Sequence, residues 1–351
     1  MFDNGRNWTE YSSVIMKMQV KAIQSVKKQV RKMVPYSPVR WANLGPVSHL
    51  LSRAIPSASP AILIVSIPRS GSSWVGNFLG TAKDALYLRE PINQTYLGET
   101  GSTPSVFEVK AAKLPQAYQA FTASAFAGLP VFPKSIVKYP AQWVLRERRR
   151  RHLVIKEVNP LALDWIINHY RPKVIYLLRH PAPVAVSFFK LGWTALGFDA
   201  RFSRETLAAE NFGLERFSDS FWAGQGAFQA AVLKRTLKLL EGYEDHRIVR
   251  YEDLCTRPTE IFRQLYEFCG FDWNASLEAE IQGHSTSSKQ YQVGRYDLER
   301  NSAEMINRWR TEISEENLAQ LREAYLFYNP AYYGPEEWAT NAGVSAALPA
   351  T

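Results

Sequence analysis

The segment Pro68-Arg69-Ser70-Gly71-Ser72-Ser73-Trp74 follows the apolar run Ala61–Ile67 and precedes Val75-Gly76-Asn77-Phe78-Leu79. A buried strand, a turn of small residues and a helix, in that order, make an anion cradle. Gly71 and the serines let backbone N–H groups crowd around a charged oxygen, and the helix N-terminus adds its partial positive charge. Ser72 and Ser73 can add hydroxyl donors, and Arg69 a fixed cation. A serine-rich helix cap is the plainer alternative; the arginine inside the turn favours the anion. The turn is not a Walker A loop, because Gly-x-x-x-x-Gly-Lys-Ser/Thr is absent, so ATP-driven phosphoryl transfer fits poorly. A second candidate follows Lys173–Leu178. Arg179 ends that run, and Ser187 lies eight residues on, in a helix expected to start at Pro181 or Pro183. Both groups could hold one phosphate beside the first loop. Taken alone, Arg179 reads equally well as a surface arginine at a strand end.

The elements that must hold these groups are legible from periodicity. Ala61–Ile67, His152–Lys156, Lys173–Leu178 and Arg247–Arg250 are short apolar or β-branched runs, with Ala85–Leu88 a shorter candidate. Such runs fit strands covered on both faces. Helical patterns lie between them, at Pro160–Tyr170 and Pro258–Cys269. Strands alternating with helices predict a three-layer α/β/α arrangement around a central, mostly parallel sheet. Ligands of such sheets bind beyond the carboxyl ends of the strands.

The chain has 351 residues, 46% hydrophobic and 21% charged, with 42 Lys plus Arg against 33 Asp plus Glu. That is enough to bury a substantial core, and the excess of +9 suggests an anionic partner. Cys255 and Cys269 are the only cysteines, too few for a disulfide framework or a four-thiolate zinc site. The histidines show no metal-ligand spacing, so no metal is expected. No apolar run approaches the ~18 residues of a membrane span, and the first residues lack the pattern of a signal peptide. A soluble, cytoplasmic chain is the expectation. Residues 11–34 carry Lys17, Lys21, Lys27, Lys28, Arg31 and Lys32 with apolar residues at near-helical spacing. This basic amphipathic helix either packs on the main domain or lies on an anionic membrane. Pro35, Pro38, Pro46, Pro56 and Pro60 mark an irregular connector after it. The cluster Arg146, Arg148, Arg149, Arg150 and Arg151 reads as a solvated helix end or as a contact for an acidic polymer.

Taken together, the two anion segments resemble those of the sulfotransferases that use 3′-phosphoadenosine 5′-phosphosulfate (PAPS). Pro-Arg-Ser-Gly-Ser-Ser-Trp is similar to that superfamily's 5′-phosphosulfate loop, and Arg179 to Ser187 to its 3′-phosphate motif. Three further segments fit in order. Tyr87-Leu88-Arg89-Glu90-Pro91 and Arg250-Tyr251-Glu252-Asp253-Leu254 resemble blocks of the carbohydrate (GlcNAc-6-O-type) and tyrosylprotein branch. Asn301-Ser302 followed by Arg308-Trp309-Arg310 resembles that branch's C-terminal segment. His180 stands where the family often has Asp, and Arg69 where the small-molecule branch has Lys.

The resemblance implies a P-loop-like fold, PAPS as co-substrate, 3′,5′-adenosine bisphosphate (PAP) as product, and a hydroxyl acceptor, foremost on a glycan. A tyrosine, lipid or small-molecule hydroxyl is the alternative. Residues 1–60 are then a basic helix and connector, 61–333 the sulfotransferase domain and 334–351 a tail. Backbone groups of Ser70, Gly71, Ser72, Ser73 and Trp74 are expected to hold the 5′ side, and Arg179 and Ser187 the 3′-phosphate. Tyr251, Ser302 and Arg308 are expected to line the adenosine side, with core packing for Tyr251 and a surface helix for Arg308 as the plainer readings. Ser302 could equally be the cap of the next helix. Arg69 is expected to stabilise the leaving bridge oxygen, with Lys156 either assisting or merely solvated at its strand end. Glu90, expected at the same sheet edge as the phosphate loop, is the candidate general base, a salt bridge to Arg89 or a loop arginine being the plainer reading. The acceptor pocket is expected from residues 92–145 and 190–245. Two rivals remain at this level: a kinase, and a non-catalytic anion- or nucleic-acid-binding protein using the arginine cluster. The phosphate-loop chemistry disfavours the first, and nucleic acid is not the expected partner.

Overall fold

A computed structural model describes residues 37–101, 104–194, 197–286 and 306–338. Five parallel strands run in the order β2-β3-β1-β4-β5, with β1 at Ala58–Val65, β2 at Ala85–Arg89, β3 at His152–Glu157, β4 at Lys173–Leu178 and β5 at His246–Arg250. Strand side chains alternate between two separate cores. Ile62, Ile64, Tyr87, Val154, Ile175, Leu177 and Val249 face one. Leu63, Val65, Leu86, Leu88, Leu153, Ile155, Val174, Tyr176 and Leu178 face the other. Both faces being apolar, the period-two pattern disappears from the sequence and each strand reads as a continuous run.

The helices divide accordingly. Ser72–Gly80 and Pro258–Cys269 cover the first face through Val75, Phe78, Leu79, Phe262, Leu265 and Tyr266. Leu163–Tyr170, Pro181–Lys190, Phe221–Glu241 and Glu315–Leu326 cover the second. The three-layer α/β/α arrangement is thus as expected. Phe221–Glu241 packs closely on Glu315–Leu326: Gly226 has no room for a side chain, since a Cβ there would lie 2.2 Å from Leu321 O.

The chain builds β1, β2 and β3 on one side and then returns to place β4 and β5 on the other side of β1. The helix after β1 and the helix after β4 therefore leave on opposite faces of the sheet. Their first turns diverge and open a crevice at the carboxyl ends of two neighbouring strands, the general location of ligands in such sheets.

Three boundaries differ from expectation. The proline-rich connector contains a helix, Pro46–Ala54, with Pro46 in its first turn, where a missing N–H costs nothing. β1 begins at Ala58, ahead of the expected start at residue 61. Residues 334–338 are not a detached tail: the turn Pro335–Trp338 buries Trp338 in the core. The basic segment 11–34 and Ser302 lie outside the described residues.

The arginine cluster is not uniformly solvated either. Arg148 is buried at 1% exposure. It donates to Ile55 O (2.5 Å), Gly128 O (2.5 Å), Ala127 O (2.7 Å) and Ser52 Oγ (3.1 Å). Burial holds its pKa down at about 10. Arg148→Ala leaves several buried acceptors without donors and should cost about 3 kcal/mol of stability. Chemical denaturation with an unchanged midpoint would remove this bracing role.

Candidate active site

The turn after β1 has an unusual backbone. Arg69 and Gly71 both have positive φ, 71° and 92°. At Gly71 a second constraint applies, because a Cβ would lie 2.4 Å from Cδ2 of the Tyr251 ring. Glycine is needed there for both conformation and space. Ser66 Oγ donates to Ile67 O and is 2.8 Å from Ser72 Oγ, which ties the strand end to the helix start. Ser70 and Ser72 are both buried at 3% exposure. The first turn of Ser72–Gly80 carries no acidic residue, so its positive end is not neutralised from within.

The two anion segments meet. Arg69 Nε donates to Ser187 Oγ at 2.8 Å, and Arg179 Nη1 donates to Arg69 O at 2.9 Å. Ser70 and Arg179 also line one narrow cleft with Ile67, Leu178 and Pro181. Arg179 lies over the Tyr251 ring at 4.3 Å, and Trp74 meets that ring edge-on at 6.3 Å. Tyr251 is therefore the floor on which both the glycine turn and the Arg179 guanidinium rest. Arg179 Nε is buried and has no hydrogen-bond partner among the described residues. A buried guanidinium N–H of this kind calls for an acceptor, and a phosphate oxygen is a strong one. The donor set therefore fits a phosphate-bearing ligand.

His180 caps the helix that follows Arg179. Its Nδ1 accepts from Ala182 N at 3.2 Å at the start of Pro181–Lys190, as a carboxylate would. Burial, then the charges of Arg310, Arg250 and Arg179, push its pKa down to about 3, so the ring stays neutral and able to accept. It stacks on Trp309 at 4.9 Å and meets Trp338 and Tyr333 at 4.5 and 5.2 Å. Glu252 joins this region from below. One carboxylate oxygen accepts from His180 N (3.0 Å), the other from Tyr333 Oη (2.8 Å). Arg250 pairs with Glu337 and lies over the Tyr333 ring. The turn bearing Arg179 is thus braced by three distant segments. Sequence reasoning missed this brace, although the Arg-Tyr-Glu-Asp-Leu block that supplies Arg250 and Glu252 was in view.

On the other side of β1, the ends of β2 and β3 carry the carboxylate. Lys156 Nζ lies 2.5 Å from Glu90 Oε1, and Glu90 N donates to Lys156 O. Lys156 is 2% exposed, which rules out a solvated strand-end lysine. Its stem packs beneath Gly76 in the helix that follows the phosphate turn. Glu90 and Lys156 are thereby coupled to that helix. Burial pushes the Glu90 carboxyl up, but the Lys156 charge, its hydrogen bond and Arg89 outweigh this, and the net shift is downward. Glu157 was not anticipated. It is buried, accepts from Ile92 N at 2.7 Å and Asn93 N at 3.4 Å, and so pins the segment that follows Glu90. Burial raises its pKa, the backbone donors oppose this, and the Glu90 charge adds to the rise, giving about 8. One ammonium between two carboxyls supports one charge, and Glu90, in direct contact, takes it.

A pH prediction follows from Glu157. The unfolded carboxyl ionises near 4.5 and the folded one near 8. Between those values the folded state holds the extra proton, so stability falls as pH rises through that window. Glu157→Gln should flatten this dependence in thermal melts; an unaltered slope would exclude Glu157 as its source.

Arg308 is exposed and pairs with Glu312 at 2.8 Å. Glu312 also holds Lys190, at the end of the helix bearing Ser187, at 2.7 Å. Arg308 therefore stands beside the second anion segment rather than within it. Ser73 and Trp74 occupy the exit of the phosphate turn as expected.

Residues 59–326 match the sulfotransferase domain family. Mouse carbohydrate sulfotransferase 4 is 24% identical over 325 residues, covering 79% of this chain and 82% of that protein. Human carbohydrate sulfotransferase 6 is 25% identical over 364 residues, covering 86% and 89%. Among solved structures, mouse sulfotransferase SULT7A1 complexed with PAP is similar at 15% identity and a TM-score of 0.40, over 80% of this chain and 89% of that one. With its sequence match spanning most of the described core, from β1 to the Glu315–Leu326 helix, the chain belongs to the sulfotransferase family.

Proposed function

We propose that the protein transfers the sulfuryl group of PAPS to a hydroxyl of a carbohydrate. The contact from Arg179 to Arg69 O, with Arg69 to Ser187 Oγ, carries this reading. It brings the two candidate anion-binding turns, at the ends of adjacent strands, into direct contact, so that one ligand with two charged ends could meet both. The buried Arg179 Nε supports an anionic oxygen at one of them. The carbohydrate acceptor is supported by relatives named as carbohydrate sulfotransferases over most of both chains.

When bound, PAPS supplies an activated sulfuryl group whose leaving oxygen belongs to a phosphate. The chain's own residues do the rest. Backbone N–H groups of Ser70 to Trp74 and the Ser72 helix terminus hold the 5′ end. Arg179 and Ser187 hold the 3′-phosphate, which selects against nucleotides lacking it. Arg69, placed between the two turns, stabilises charge on the leaving side. Glu90, ionised by Lys156, accepts the proton of the attacking hydroxyl. Lys156 holds that carboxylate in place. Tyr251 supports the turn, and Arg308 borders the adenosine side.

The test is incubation with radiolabelled PAPS and separate panels of glycans, peptides and lipids. Label on a glycan hydroxyl is the expected result. Label confined to tyrosine or lipid would overturn the acceptor, and no transfer to any acceptor would overturn the activity.

A further inference from the structure

The amino-terminal end of the sheet, opposite the anion basin, carries a different surface. Two segments that lead into β1 and β3 lie together there. Trp41 Nε1 donates to Trp143 O at 2.8 Å, Arg149 Nη2 donates to Ala54 O at 3.0 Å, and buried Arg148 donates to Ile55 O. Four large apolar side chains on these segments face solvent: Leu44 at 52%, Val47 at 48%, Leu50 at 65% and Val144 at 41% exposure. Exposed Arg40, Arg53, Arg146, Arg149 and Arg150 flank them. Glu147 is the one acidic residue in residues 40–54 and 143–151.

We propose that this edge docks on an anionic lipid bilayer. Aliphatic side chains on a short helix, bordered by cations, are the chemistry of an interfacial contact. The apolar groups enter the acyl boundary while the guanidinium groups stay at the headgroups. A nucleic acid would match the arginines but leave Leu44, Val47 and Leu50 in water. A neutral protein face would match the aliphatics and leave the cations unanswered. The charge complementarity therefore selects the membrane. The described strands are all parallel, so a bilayer at their amino ends leaves the basin at their carboxyl ends facing water. Bound protein would then meet its acceptor from the aqueous side.

The test is co-sedimentation of the full chain with vesicles of phosphatidylcholine plus phosphatidylserine, against phosphatidylcholine alone. Wild type should partition to the anionic vesicles and not to the neutral ones. V47E/L50E should weaken partitioning at least about tenfold, and R146Q/R150Q about fivefold per cation removed. PAP affinity should be unchanged in both variants, since neither touches the basin. Absence of binding to anionic vesicles, or wild-type binding by V47E/L50E, would overturn the proposal. So would a melting temperature lowered by V47E/L50E, which would show the face to be covered within the chain. Tight binding to DNA without binding to vesicles would overturn it in favour of a nucleic-acid contact.

Discussion

Glu90→Gln should bind PAP with near-wild-type affinity and turn over about 10²- to 10⁴-fold more slowly, the usual worth of a general base. The amide keeps the size of the side chain and can still accept from Lys156 Nζ, now 2.5 Å from the carboxylate, so the local backbone should survive. What it loses is the ability to take a proton. The lowered pKa of Glu90 gives a second readout. Wild-type kcat should persist as pH falls, with its acid limb below the usual carboxylate range, because the base stays ionised. In Lys156→Met that limb should move upward, since burial then acts on Glu90 without the opposing charge. Single-turnover rates and the pH profile check both. Full activity in Glu90→Gln would assign the proton to another group.

Arg179→Ala should weaken PAP binding by about 10²-fold or more, given ~1.5–3 kcal/mol for each hydrogen bond to a charged group. The effect has two sources. The variant removes the buried Nε that has no partner among the described residues, and it releases the contact to Arg69 O that joins the two turns. Arg179→Lys separates them. It keeps a charge but loses the planar fork and its stacking on Tyr251, so it should recover only part of the affinity. Titration calorimetry with PAP, and with adenosine 5′-phosphate as the ligand lacking the 3′ group, provides the measurement. The variant should reduce discrimination between the two. Unchanged PAP affinity would detach the second anion segment from the nucleotide.

The strands and the phosphate turn were readable because each is coded locally. Lys173–Leu178 and Pro258–Cys269 form within the limits that their apolar pattern predicts. Glycine at position 71 and a cation at 69 announce a tight anion-binding turn before any contact is known. The Glu90–Lys156 pair was half visible: both residues were singled out, but burial of Lys156 depends on the helix packed over it, which no local pattern specifies. Glu157 could have been noticed as a second charge at the end of an apolar strand, since a carboxylate seldom closes a buried run without a partner. The brace of Glu252, Tyr333 and Trp338 was not accessible by such means. Its members are separated by long stretches of chain, and each is individually unremarkable in composition. Arg148 shows the same limit, because an arginine among arginines looks solvated until tertiary structure selects one for burial.

The position of Trp338 against His180 has a consequence for biogenesis. The turn that presents Arg179 is finished by residues made long after the strand and helix that flank it. A nascent polypeptide can lay down the entire sheet while that guanidinium still rests on an unsupported hinge. Competence to capture nucleotide is therefore gained only after the whole sheet has been synthesised.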